Sequence, residues 1–211
     1  MSSLPVIVLA SRSPRREALL KFAGVPFVAH PVAEEEVEYP GLPARTAAVN
    51  SKLKATAAGR IYPERVILAA DTVVFLEELM GKPADLDEAR RMLSLLSGRI
   101  HSVHTAVTVA LPSRAWSGTR VAVSRVEMKN FGPETIEHYF RRVDPLDKAG
   151  GYAIQEEGEM LIRRIEGSLS NVIGLPLEAL RGLCSFRPEA SPLTPRLQAA
   201  AESCRLSWLA P

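Results

Sequence analysis

The stretch Pro5-Val6-Ile7-Val8-Leu9-Ala10-Ser11-Arg12-Ser13-Pro14-Arg15-Arg16-Glu17-Ala18-Leu19-Leu20-Lys21-Phe22-Ala23-Gly24 reads as a strand, a turn and a helix in immediate succession. Val6–Leu9 is a short apolar run suited to a buried strand, and Leu19, Phe22 and Ala23 recur at helical spacing. Ser13 fits the N-cap, Pro14 the first helical position and Gly24 a C-terminal stop. A strand that feeds an amphipathic helix points to a sheet flanked by helices. The same stretch holds an electrostatic conflict. A helix N-terminus carries partial positive charge, which repels Arg15 and Arg16 in the first turn unless an anion is near. A polyphosphate would remove the conflict, because helix starts bind phosphate and guanidinium forks match its oxygens. Two solvated surface arginines are the plain alternative.

Working outward, a helix is expected over about Ala44–Ala58, then a buried strand at Val66–Ala70 that continues past Asp71 to Leu76. Glu77-Glu78 turns it back as a hairpin. A helix follows over Leu86–Leu96, opened by the capping pair Asp85 and Glu88 and closed by Gly98. Two long alternating strands are expected at Ser102–Leu111 and Arg120–Lys129, joined by the loop Pro112–Thr119. Thr135–Arg142 reads as a helix, Gly151–Gln155 and Met160–Ile165 as strands, and Pro176 opens a helix carrying Leu177–Leu183. The fold class is therefore α/β with α+β mixing, a long twisted mixed sheet flanked by helices. Residues 1–186 form the expected domain. Residues 187–211 read as a linker, with three prolines in Arg187–Pro195, and a C-terminal helical tail whose helix at Leu197–Leu209 is either docked on the body or left free.

Bulk composition narrows the function. At 211 residues and 46% hydrophobic, the chain can bury a sizeable core. A net charge of +2 with 24% charged residues leaves no large basic face, so no nucleic-acid partner is expected and any phosphate affinity is local. Cys184 and Cys204 lie outside metal-type spacing and read as reduced thiols. Met1–Pro5 lacks the charged and apolar regions of a leader, and no run approaches the ~20 apolar residues of a membrane span. A soluble cytoplasmic protein is expected, with no membrane partner.

Several residues carry possible chemistry. Asp71 ends the apolar run Val66–Ala70, where an unpaired charge is strongly unfavourable. Ligand sites in α/β sheets lie at strand ends, which makes Asp71 a candidate general base or metal ligand, with a turn aspartate as the alternative. Lys82 sits in the stiff turn Gly81-Lys82-Pro83, and Lys148 adjoins Gly150-Gly151, which permit close approach of a ligand. Lys52 and Lys54 lie on the second helix. Each lysine alone reads as solvated surface. Glu34-Glu35-Glu36 is either a solvated acidic loop or the source of a carboxylate that joins Asp71 on a divalent cation; Mg²⁺ takes few carboxylates alongside phosphate oxygens and water. Gln155 offers a paired donor and acceptor that suit a base edge. His101 and His104 face opposite sides of a strand and read as structural. A Walker-type loop and a nucleophile elbow are both missing from the sequence.

Taken in order, Ser11-Arg12-Ser13-Pro14-Arg15-Arg16, Ala70-Asp71-Thr72-Val73-Val74, Gly81-Lys82-Pro83, Leu96-Ser97-Gly98 with His101 and Val103, Asp147-Lys148-Ala149-Gly150 through Gln155, and Asn171-Val172-Ile173-Gly174-Leu175-Pro176 resemble the Maf family of nucleoside triphosphate pyrophosphatases. The resemblance runs from about Val6 to Leu183 and implies an ITPase-like fold with two lobes around a central cleft. It implies hydrolysis between the α and β phosphates of a nucleoside triphosphate, with a divalent metal, Mg²⁺ or Mn²⁺. Asp71 would be the proton acceptor, with Glu36 and Lys82 beside it in catalysis and Asp71 with Glu36 on the metal. Ser11, Arg15, Arg16, Lys54 and Lys148 would bind phosphate. Arg15, Thr72 and Gln155 match the branch acting on dTTP and UTP, and Gln155 can complement a uracil-type edge. Where the family has Gly after this Gln, the chain has Glu156-Glu157. Other modified nucleotides such as 7-methyl-GTP, or a nucleotide-binding regulator of septum formation with little turnover, stand as alternatives. Family members are commonly dimeric, so a homodimer stays open, although no apolar stripe requires it.

Overall fold

The computed structural model describes residues 5–209; Met1–Leu4, read above as lacking a leader, and residues 210–211 lie outside the described residues. The opening unit forms as expected. Buried β1 (Ile7–Leu9) leads into α1 (Pro14–Phe22), and Gly24 at φ +62 turns the chain into β2 (Phe27–Ala29), which sequence patterning had not marked. Ser13 occupies the N-cap, but its side chain makes no cap bond. Instead the Ser13 N–H donates to Ser11 Oγ at 3.2 Å. The long helix α2 (Pro43–Ile61) then crosses to β3 (Ile67–Phe75). Its small residues Ala47, Ala55 and Ala58 let the helix lie close on Ile67, Ala69, Val73 and Ala106.

The hairpin expected at Glu77-Glu78 returns as β4 (Leu79–Met80). At the start of α3 (Leu86–Leu96), Asp85 Oδ1 accepts from the Glu88 N–H at 2.8 Å, while Glu88 Oε2 accepts from the Ala84 N–H, one residue before the N-cap. The antiparallel ribbon of β5 (Ile100–Leu111) and β6 (Trp116–Met128) is longer than expected. Ala115 adopts a left-handed φ of 48, so one 3₁₀ turn at Pro112–Arg114 closes it in place of an eight-residue loop over Pro112–Thr119. Beyond α4 (Pro133–Phe140), the expected strand Gly151–Gln155 is absent. Gly150 and Gly151 take φ +72 and +75 within a 3₁₀ turn, a geometry that cannot continue a ladder. The short α5 (Gly158–Leu161) then precedes β7 (Ile162–Glu166), displacing the strand expected at Met160–Ile165.

The seven strands form one mixed sheet in the order β2-β1-β3-β5-β6-β7, with β4 on β3; β1, β2 and β3 run parallel and the remaining pairs antiparallel. One face carries α2. Against the other, Leu9, Leu68, Val74 and Val107 meet Leu20 and Leu93, and α6 (Leu169–Ile173) and α7 (Leu177–Cys184) add Leu175 and Leu177. After residue 186 the chain stays on the body: Ala190 and Leu193 are buried, and α8 (Thr194–Leu209) inserts Leu197, Ala200 and Ala201 into the same core. No described helix is long and apolar enough to cross a membrane.

Candidate active site

Asp71 lies in the middle of β3, not at its end as the apolar run implied. It still faces a gap. β1 stops opposite Leu68 and β4 begins only opposite Val74, so among the described residues no strand pairs with that edge of β3 between them. The Asp71 carboxylate is therefore at the C-terminal end of β1, where ligands bind in open α/β sheets. Strand alternation turns Asp71 toward α2 and Thr72 toward the opposite face. On the α2 side, Lys54 Nζ donates to Asp71 Oδ1 and to Glu36 Oε1, both at 2.6 Å. Burial would raise the Glu36 pKa. The hydrogen bond and charge of Lys54, with the charges of Lys82 and Arg16, outweigh this and hold it below the ordinary carboxylate value.

On the Thr72 side, Arg16 reaches back from α1 to three neutral oxygens: Gly174 O at 2.8 Å, Ser11 Oγ at 3.0 Å and Thr72 Oγ1 at 3.1 Å. Its charge has no carboxylate in direct contact among the described residues, and desolvation by burial lowers its pKa. Arg15 behaves differently. It spans the cleft to Asp147, which also binds Lys148. The helix-start conflict is thus resolved inside the protein for Arg15, by a carboxylate, and left open for Arg16.

A single cavity of about 870 Å³ is lined by Ser11, Arg15, Arg16, Glu36, Lys54, Asp71, Thr72, Lys82, Lys148 and Gln155, all residues singled out from the sequence. Glu34, Glu35 and Tyr152 also line it, whereas Lys52 is exposed and does not. His101 and His104 do face opposite ways: His101 Nε2 pairs with the Tyr152 hydroxyl at 2.6 Å, and His104 Nε2 with Ser102 Oγ at 2.9 Å.

Residues 6–185 match the family described as Maf-like protein. The chain belongs to the Maf family. It is 41% identical over 186 residues to the dTTP/UTP pyrophosphatase of Akkermansia muciniphila, covering 85% of this chain and 97% of that protein. It is 43% identical over 184 residues to the dTTP/UTP pyrophosphatase of Moorella thermoacetica, covering 85% and 94%. With that of Dictyoglomus thermophilum it shares 40% over 180 residues, covering 84% and 93%. Among solved structures it is similar to the Staphylococcus aureus Ham1 protein, with a TM-score of 0.44 and 14% identity over 72% of this chain and 89% of that one.

Two site residues of this Maf-family chain went unmarked in the sequence. Asn50 is buried on α2, one turn before Lys54; its side chain accepts from the Val37 N–H at 2.9 Å, donates to Val37 O at 3.1 Å, and reaches Asp71 Oδ2 at 3.4 Å. It staples the acidic loop to the helix and so sets Glu36 beside Asp71. Its helical spacing from Lys54 was the available signal. Asp147 was visible only as the neighbour of Lys148. The Maf-family site also fits a divalent cation in one respect: Glu36 and Asp71 converge on a single positive group, the Lys54 ammonium. No group of three or more His, Cys, Asp or Glu is placed to hold a metal ion among the described residues, so an ion there would lean on substrate oxygens and water, as Mg²⁺ does.

Proposed function

We propose that this chain hydrolyses nucleoside triphosphates, with dTTP and UTP preferred, to the monophosphate and pyrophosphate. The observation that carries this is the Asp71–Lys54–Glu36 triad at the open edge of β3, with Arg16 and Lys82 lining the same cavity. The names of the relatives at about 40% identity agree with it. Asp71 takes a proton from the attacking water as its oxygen bonds to phosphorus. The α–β anhydride bond breaks and pyrophosphate leaves with the bonding pair. Asp71 and Glu36 would hold a divalent ion, which supplies charge neutralisation to the phosphates. Ser11, Arg16, Lys54 and Lys82 face the polyphosphate, Arg15, Thr72 and Gln155 select the base, and Lys148 sits beside Arg15 on the shared Asp147. A cytoplasmic setting suits this substrate class.

A nucleotide panel with Mg²⁺ or Mn²⁺, assayed for pyrophosphate against orthophosphate, tests the assignment. Pyrophosphate release ranked highest for dTTP and UTP, and lost on chelation, is expected. Orthophosphate as the product, or no turnover with any nucleotide, would reject it.

A further inference from the structure

Arg15 and Lys148 are both engaged by acidic partners within the protein. Arg15 donates from Nη1 to Asp147 Oδ2 at 2.7 Å and from Nη2 to the Asp147 backbone oxygen at 2.9 Å. Lys148 Nζ, whose side chain is 4% exposed, donates to Asp147 Oδ1 at 2.6 Å and Asp144 O at 2.8 Å, and lies 3.2 Å from Glu156 Oε2. Two of the three ammonium N–H donors are thus taken by hydrogen bonds, and the charge is faced by two carboxylates. Arg15, Lys148, Asp147 and Glu156 together carry no net charge. The rest of the cavity is different. Arg16 contacts only neutral oxygens, and exposed Lys82 is in no ion pair among the described residues. Arg15 is thus matched by a carboxylate inside the protein, Arg16 and Lys82 are not, and Gln155 lines the same cavity.

We propose that Asp147 is a positioning residue that directs Arg15 to the nucleobase and away from the phosphates, with Lys148 and Glu156 as the fixed posts of the same clasp. The proposal rests on the nucleotide reading above. A guanidinium pinned at both Nη atoms has lost its rotational freedom, yet it keeps Nε–H and one N–H on each Nη. Those donors match the carbonyl acceptors of a uracil-type edge. A polyphosphate approaching Arg15 would meet the Asp147 carboxylate that binds it, a repulsion an uncharged base escapes. Burial alone would raise the Asp147 pKa, but hydrogen bonds from Lys148 and Arg15 hold it below the ordinary value, so the clasp stays charged. Glu156, 3.2 Å from Lys148 Nζ, supplies the far anchor.

The test is a double-mutant cycle with Asp147→Asn and Arg15→Gln, read in KM, kcat and base ranking, beside binding of inorganic tripolyphosphate as a probe without a base. Asp147→Asn is expected to raise KM for dTTP about tenfold with kcat within about threefold, to flatten the base ranking, and to add nothing in the Arg15→Gln background. Tripolyphosphate affinity should stay within about twofold. Additive effects, an unchanged base ranking, or a loss of tripolyphosphate affinity matching the rise in KM would overturn the proposal. Should the Asn variant not fold, Asp147→Glu keeps the charge, displaces the carboxylate and faces the same criteria. If the parent cleaves no nucleotide, the pyrophosphatase assignment fails by itself, and dTTP and tripolyphosphate binding constants still test the clasp.

Discussion

Asp71 and Thr72 are neighbours in the chain with opposite surroundings, since successive strand side chains point to opposite faces. Asp71 meets Lys54 and Asn50, and Thr72 meets Arg16 and Thr105. Replacing Asp71 by Asn keeps the shape and removes the proposed proton acceptor. Turnover of dTTP should fall at least about 10²-fold while its binding constant changes little, checked by steady-state kinetics and calorimetry. Parent-level turnover would remove Asp71 from the role. Asn50→Leu keeps the branching at Cγ but strips both bonds from the Val37 backbone. It should cost about 1–3 kcal/mol in a denaturation experiment and raise the Mg²⁺ concentration needed for half activation, because Glu36 loses its anchor. Equal metal dependence in the two chains would leave Asn50 a purely structural residue.

At the scale of elements, β5 carries a pH-sensitive contact. His101 is buried against the Tyr152 ring and hydroxyl, and desolvation pushes its pKa down from 6.5 to about 4. Between those values the unfolded chain binds a proton that the folded chain refuses. The stability from a neutral His101 is therefore fully present above about pH 6.5 and is lost as pH falls toward 4, a swing on the order of 3 kcal/mol. Urea melts across that range should show the decline, and His101→Gln should flatten it; the same slope in both chains would rule His101 out. The turn at Gly150 is the other sensitive element. An added Cβ would meet Val74 at 3.1 Å on a backbone at φ +72, so Gly150→Ala should lower the melting temperature and loosen the wall formed by Lys148 and Tyr152. Alternation and helical period foretold the elements themselves, because both depend on residues a few places apart. The irregular segment Gly151–Gln155 was misread as strand, because glycines at positive φ leave no periodic mark.

Across the whole molecule, the chain after residue 186 completes the core instead of trailing from it. Leu193 and Leu197 are 1% and 0% exposed, and each buried leucine contributes roughly 1.5–3 kcal/mol. A chain ending at residue 186 should melt well below the full chain, checked by calorimetry; an unchanged melting temperature would make the segment dispensable. Local interactions were legible from sequence alone: the strand–helix opening, the Asp85 cap of α3, and the acidic and basic residues available to a site. Their geometry needs only close neighbours. The site itself was decided in three dimensions. The gap in β3 exists because β1 and β4 end short of each other, and Arg15 meets Asp147 across a separation of 132 residues. Strand order and cleft closure bring such groups together, and no short-range pattern encodes them, because they arise from how the sheet as a whole buries its two faces.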